Sequence, residues 1–436
     1  MRANGIAVSR RVVLAAALMS VGTSALFAQM PNASPAAYGM AGNYTAMARG
    51  YEAVAWNPAN LAMPDRPFIS FGAMIVGGTV GMDPVGFGML HDAADPLGIK
   101  VVDSTTRKSW VDLVRAAGRQ RVRIDGGVTP IALSVGPVGF QLGVSTYTNM
   151  DLSPDVWEAV MFGNAGLNGG AAKPLSFTGS GMESGAFVTG AVSFALPLPV
   201  HITAGLLGPE HFAVGITGKY VGGALALARD AGSVLGTSSV NYTLPVVFPD
   251  SGLGGVGVGA DLSASWSAGP WKVGALVENV FNSFKWDTTK LQVHSTSGYF
   301  DKDTNYSTDT TLAYGQAPLA LRQRIGAQGF KPALNVGVAF KATDFLTVTA
   351  DLHQQMGGDD AISIGPKNRM GVGAELRILP FIPLRAGLAS VTDGWQAGGG
   401  FGIHFLGYEL GLSGSVRKRG AATETGFMIN VLGIGH

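Results

Sequence analysis

The chain has 436 residues, no cysteine and a formal net charge of +1, with only 14% of its residues charged. That excludes disulfides, thiol nucleophiles and cysteine-built metal sites, and it leaves no global field for nucleic acid or an acidic partner. Hydrophobic residues make up 47% of the chain and the mean hydropathy is +0.26, so the chain is either an apolar soluble core or a membrane barrel with its apolar residues spread one in two.

Residues 1–28 read as a secretory signal. Arg2, Arg10 and Arg11 form a basic start, Val12 to Met19 an apolar run too short to span a bilayer, and Ser24-Ala25 and Phe27-Ala28 offer small residues for cleavage. Ser9-Arg10-Arg11 touches the twin-arginine pattern, but a barrel must cross unfolded, which favours the general secretory route. Beyond this segment no stretch approaches the about 18 consecutive apolar residues of a transmembrane helix.

Residues 29–65 are unlike the rest. The small-residue run Tyr38 to Ala46 leads into Trp56-Asn57-Pro58-Ala59-Asn60-Leu61-Ala62, with no clean period of two. Asn57-Pro58 and Met63-Pro64 are turn dipeptides, because proline fixes φ and keeps the preceding residue out of the α region. A compact, turn-rich segment of this kind needs a surface to pack against, and the interior of the structure that follows is the candidate. Gly39-Met40-Ala41-Gly42, Ala46, Arg49-Gly50 and the Asn57-Pro58-Ala59 turn resemble the N-terminal hatch of the outer-membrane fatty-acid transporter superfamily. The same pattern opens the related barrels of the type IX secretion system. The resemblance implies an all-β fold, a transmembrane antiparallel β-barrel of 14 strands plugged by residues 29–65. It also implies that Gly39, Gly42, Trp56, Asn57, Pro58, Ala59 and Asn60 close or gate the barrel; a purely static role for them is equally open.

From residue 66 onward the pattern is strand after strand. Val256, Val258, Ala260, Leu262, Ala264 and Trp266 alternate with Gly257, Gly259, Asp261, Ser263 and Ser265. Successive side chains of a strand point to opposite faces, so one face is apolar and the other small or polar. The segments 334–340, 345–353, 372–378, 401–405 and 408–412 repeat this, as do 131–135, 140–144, 212–216 and 271–277 upstream. Each approaches the about 9–11 residues of a tilted membrane strand. The total comes to roughly 14 strands, with Phe427, Ile429 and Val431 in the last. Turns at 136–139, 267–270, 341–344 and 379–383 are short and rich in Gly and Pro, whereas 82–120, 149–173 and 284–330 are long. Short turns on one rim and long loops on the other describe an outer-membrane barrel. Within the loops, Ser109 to Ala117 and Asp151 to Phe162 read as helices. Tyr147, Tyr220, Trp266, Trp271 and Tyr408 fall near strand ends, as interfacial girdles require.

Motifs for chemistry fail on inspection. Gly252-Leu253-Gly254-Gly255-Val256-Gly257 has dinucleotide-loop spacing but runs into a strand, not a helix. Asp301, Asp303 and Asn305 have calcium-loop spacing, but Tyr306 and Leu312 stand where Gly and Glu are needed. The seven histidines are scattered without metal spacing. The sequence therefore implies no enzyme, no cofactor and no metal. Charges do recur on the weak face of the strands: Arg121, Arg123, Glu278, Asp351, His353, Glu375, Arg377, Arg385 and Glu409. A lipid-facing Lys or Arg costs up to about 2–4 kcal/mol at mid-membrane, so these charges belong to the lumen. There they form either a neutralising ladder that ties the wall to the hatch or the lining of a permeation path. Trp157, Val160, Met161 and Phe162 in the second loop are either a capture surface for an apolar ligand or a cap on the barrel.

The resulting expectation is an outer-membrane barrel for passive uptake of fatty-acid-like hydrophobic molecules, its partners being membrane lipid and the ligand. The alternative is a non-conducting, structural or secretion-associated barrel that binds a secretion partner protein through its loops. A soluble β-rich periplasmic protein is a third possibility; it requires the apolar faces to point inward.

Overall fold

The computed structural model describes residues 34–93, 102–163, 173–357, 362, 365–392, 394–420 and 422–435. The signal segment 1–28 and the first residues of the hatch lie outside this set. All described strands belong to one antiparallel sheet, and fourteen of them close into a barrel. In chain order these are β1 Ile69–Asp83, β2 Gln120–Val135, β3 Val138–Leu152, β4 Gly181–Leu198, β5 Glu210–Arg229, β6 Gly255–Ala268 and β7 Trp271–Asn282. They continue with β8 Ala333–Lys341, β9 Leu346–Gln355, β10 Asn368–Leu379, β11 Ile382–Val391, β12 Gly394–Phe405, β13 Tyr408–Arg419 and β14 Ala422–Ile434. Each pairs with the next, and β14 returns to β1, with Phe71 opposite Ile434 and Val76 opposite Ile429. Closure removes both sheet edges, which is what lets strands sit in lipid with every backbone group paired.

The alternation read from the sequence is the inside–outside pattern of this wall. On β6, Leu262 is 49% exposed while its neighbour Asp261 is 5% exposed; Val256 and Val258 are also exposed, and Ser263 and Ser265 are buried. The apolar face points outward. This overturns the soluble periplasmic reading, in which the apolar face must form the core. Phe68, Phe345, Phe381, Phe405, Tyr408 and Trp271 stand exposed along the short-turn rim, and Tyr220 and Trp395 nearer the other. Tyr147 is not part of this girdle. Its parity on β3 turns it inward, where it is buried against Phe187.

The long-loop rim carries more structure than its sequence announced. Helices Phe87–Ala93 and Ser104–Ala117 fill the first loop, and Pro154–Phe162 opens the second. The loop between β7 and β8 is not a plain insertion. It contains a hairpin, Leu291–Phe300 with Asn305–Ala313, and a helix, Leu319–Ala327. The hairpin extends onto Val240–Pro249 from the preceding long-rim loop, making a small sheet beyond the barrel. The candidate calcium loop is the tip of this hairpin. Asp301 Oδ1 accepts the backbone N–H groups of Asp303 (2.8 Å) and Thr304 (2.5 Å), so the carboxylate closes a turn.

Candidate functional site

The hatch lies inside the short-turn half of the barrel. Its opening helix, Pro35–Gly39, is capped by Ser34, whose Oγ accepts from Ala37 N at 3.1 Å. A helical turn, Ala53–Trp56, and a tighter one, Pro58–Ala62, follow. Asn57 separates these turns with an extended backbone and caps the second: its Oδ1 accepts from Ala59 N at 3.2 Å. Proline at the next position has no N–H to waste at a helix start. The Asn57-Pro58 pair singled out in the sequence is thus a cap, and its other atoms reach the wall.

Those reaches form a ring of anchors. Asn57 Nδ2 donates to Ser265 Oγ at 2.9 Å, and Ala59 N to Ser263 Oγ at 2.9 Å, both on β6. Ser265 Oγ donates to Asn60 Oδ1 at 2.5 Å, while Asn60 Nδ2 holds the carbonyl of Ala48 at 2.9 Å. Across the lumen, Asn43 Nδ2 donates to Val372 O (3.1 Å) on β10, Thr45 N to Asp351 Oδ1 (2.9 Å) on β9, and Asn430 Nδ2 of β14 to Tyr51 OH (2.9 Å). Glycines in the wall make these approaches possible. A Cβ on Gly215 would collide with Ala59 N, and one on Gly387 with the Met40 carbonyl. Gly39 lies against the backbone of Gly399 and Gly400, and Gly42, at φ +85°, lies against the Arg369 guanidinium. The high glycine content therefore has a use: inward glycines let the hatch backbone sit on the wall backbone.

Above the hatch is a cavity of about 190 Å³. Trp56 and Tyr38 line its hatch side, and Asp125, Glu278, His353, Arg369 and Arg417 are among its wall residues. Trp56 is packed edge-on against Tyr44 at 5.9 Å and lies under the Arg369 guanidinium at 6.0 Å, while Arg369 Nη2 donates to Gly42 O at 2.9 Å. Glu278 accepts from Asn335 Nδ2 at 2.7 Å; Asn335 Oδ1 in turn lies 2.7 Å from His353 Nδ1, which therefore carries the proton.

The other inward charges pair among themselves. Arg385 bridges Glu375 at 2.8 Å and Glu409 at 3.4 Å, with Arg377 on Glu375 at 2.7 Å and His404 on Glu409 at 3.2 Å. Arg121 is partly exposed at the long-loop rim, 3.2 Å from Asp83, and Arg123 reaches Glu424 at 3.8 Å. The sequence reading missed several members. Arg417 pairs with Glu424 at 3.0 Å and donates to Gln396 at 3.0 Å; Lys219 pairs with Asp261 at 2.6 Å. Their signal was parity: Arg417 continues the inward series Ser413, Ser415. Mutual pairing of this kind supports the ladder over an open ion path.

The loop residues fall into two separate clusters. Trp157 is buried with Trp110, Val111 and Val114, and Met161 and Phe162 pack against the same cluster; Val160 is exposed. Arg107 stacks over Phe162 at 4.8 Å and donates to Met161 O at 2.8 Å. This arrangement ties the first two loop segments together over β1 and supports the capping role. A second, larger cluster fills the long-loop half of the lumen and was not anticipated. Phe187 on β4 is its centre, with the rings of Tyr147, Phe284, Trp286 and Phe330 at 5.3–6.2 Å, and Leu321 and Ile325 of the inserted helix beside them. Glu183 ties this helix to the wall by accepting from Arg324 Nε and Gln328 Nε2, each at 2.9 Å.

No family model matches the sequence, and no curated protein does. Solved structures do match. The Ralstonia pickettii toluene transporter TbuX aligns over 92% of this chain and 98% of its own, at 12% identity and a TM-score of 0.50. The Pseudomonas putida toluene transporter TodX aligns over 94% and 98%, also at 12% identity and a TM-score of 0.50. The chain shares the barrel fold of these two structures over nearly its whole length. Among the described residues no group of metal-ligating side chains is present.

Proposed function

We propose that the protein is a bacterial outer-membrane channel for passive uptake of hydrophobic small molecules, with the hatch as its gate. The observation that carries this reading is the division of the lumen. The hatch fills the short-turn half, and an aromatic cluster around Phe187 occupies the long-loop half. Above the hatch, level with this cluster, lies the 190 Å³ cavity, which borders Trp56. An apolar solute entering from the loops has to pass the packed aromatic cluster, whose rings are buried, to reach the hatch. It passes on only when the hatch or the wall beside it yields. Such a path needs no catalytic group or cofactor. The names of the two matched toluene transporters support a hydrophobic solute; they do not fix which one.

The second reading, a plugged barrel that works through its loops, is favoured by the anchors of the hatch, which reach β6, β9, β10 and β14. One experiment separates the two. Uptake of fatty acid and of toluene is measured in liposomes carrying the intact protein or a variant lacking residues 34–62. The channel reading expects uptake by the intact protein and leakier, less selective flux after deletion. No uptake by the intact protein, with conductance appearing only on deletion, overturns it in favour of the plugged barrel.

A further inference from the structure

One connection on the short-turn rim is unlike its neighbours. Between β4 and β5, residues 199–209 read Pro-Val-His-Ile-Thr-Ala-Gly-Leu-Leu-Gly-Pro, longer than the other turns of that rim and without a permanently charged side chain. Val200, Ile202, Leu206 and Leu207 are all exposed, Leu206 at 87%. An exposed apolar run in a flexible loop means little, but this loop is built. The Glu210 carboxylate accepts from Ile202 N (2.6 Å), Thr203 N (3.0 Å), Thr203 Oγ1 (2.6 Å), Gly205 N (2.7 Å) and Trp266 Nε1 (3.2 Å). Leu206 N and Gly208 N close turns onto Thr203 O and Gly205 O at 3.1 Å each. The Leu207 carbonyl packs so close to Gly269, in the turn between β6 and β7, that a side chain there would collide with it.

The side of the wall on which this happens is decisive. On β5 the inward residues are Ala213, Gly215 and Thr217, so Glu210 has the outward parity of Ile216 and Tyr220. Trp266 shares the outward face of β6 with Leu262. A carboxylate on the lipid face is satisfied there by five donors, four of them from the loop. The loop therefore folds over the outside of the wall, not under the lumen. Its apolar tip continues the outward stripe Val192, Phe194 and Leu196 of β4.

We infer that residues 199–209 are a membrane anchor, a preformed loop that seats Val200, Ile202, Leu206 and Leu207 in the phospholipid leaflet at the short-turn rim. The occupant is the lipid surface, because the patch is continuous with the barrel's own apolar belt and carries no charge that would select a protein partner. Interfacial insertion of apolar side chains gains free energy in proportion to the area buried.

The absence of cysteine makes the test direct. Leu206→Cys and Ile202→Cys are labelled with a nitroxide in the full-length protein and reconstituted into phospholipid bilayers. Accessibility to oxygen, which concentrates in lipid, is compared with accessibility to a water-soluble nickel chelate. Leu388→Cys, on the exposed apolar face of β11, is the lipid reference, and Ser251→Cys, exposed in a loop of the other rim, is the aqueous one. The expected result is an oxygen-to-nickel ratio at 206 and 202 close to that at 388 and several-fold above that at 251. A ratio like that at 251 overturns the anchor. A label reached by neither reagent shows protein packed on the loop and overturns it too.

Discussion

Arg385 stands between two carboxylates and is itself buried, with Glu375 at 2.8 Å and Glu409 at 3.4 Å. Replacing it with alanine leaves Glu375 to the more exposed Arg377, and Glu409 to His404. Breaking one side of a buried ion pair costs about 3–5 kcal/mol, because the remaining charge is stranded. Arg385→Ala is therefore expected to lower the unfolding free energy of the reconstituted barrel, read from its denaturant titration, by that order. Arg385→Lys should fall between the two, since an ammonium lacks the fork that serves both acids. Asp65, in the link from hatch to wall, behaves differently. Burial pushes its carboxyl up, but the Lys272 ammonium bonded to it and the nearby Arg49 outweigh this and hold it below the usual carboxylate range. A depressed carboxylate stabilises the folded state above its unfolded pKa of about 3.9 and loses that contribution as pH falls through its folded value. Acidification below about pH 4 should thus loosen the link and raise the frequency of single-channel openings. Asp65→Asn should show those openings at neutral pH and lose the acid step; an unchanged acid step in the variant would remove Asp65 from the account.

At the scale of elements, the hatch and the loop helices are both small units held by few residues. Trp157 is the anchor of the helix Pro154–Phe162, packed on Trp110 and Val114 of the helix before it. Trp157→Ala should cost about 3–5 kcal/mol locally. Its effect should be seen as faster protease cleavage of the first two long loops in intact vesicles, with the barrel itself unaffected. Loss of uptake without faster cleavage would instead favour the capture role. The hatch was legible in the sequence because Asn57-Pro58 and Met63-Pro64 are turn dipeptides and because its residues are small. Its ring of anchors was not legible. Which serine of Ser263 and Ser265 meets Asn57 depends on barrel closure, and sequence alternation gives parity without register. Parity places Arg417 inward, but the same limit hid its pairing with Glu424 across the β13–β14 hairpin. Tyr147, by contrast, was misplaced against a parity the sequence does carry, since it shares the inward face of β3 with Ser145.

For the molecule as a whole, the outward apolar and inward polar faces follow from one physical fact, that the solvent outside is lipid. The alternation of Leu262 with Asp261 therefore carries the fold. What it does not carry is everything past the membrane. The hairpin Leu291–Phe300 and Asn305–Ala313 pairs like any two strands, but it rises above the wall and is not part of the ring. Its Ser- and Thr-rich outer strand reads as polar loop, because in water neither face needs to be apolar.

The hatch joins β1 directly, and β1 is sealed against β14, the strand farthest from it along the barrel sequence. Residues 34–62 bind strands around the ring, Tyr51 to Asn430 of β14 and Asn57 to Ser265 of β6, so a hatch lying against the growing wall favours closure of the seam. The hatch is then an internal mould for the barrel as much as its stopper. The seam, joining the most distant parts of the sequence, is the contact with the greatest entropy of closure, and it is the step at which an empty or misfilled barrel would be committed.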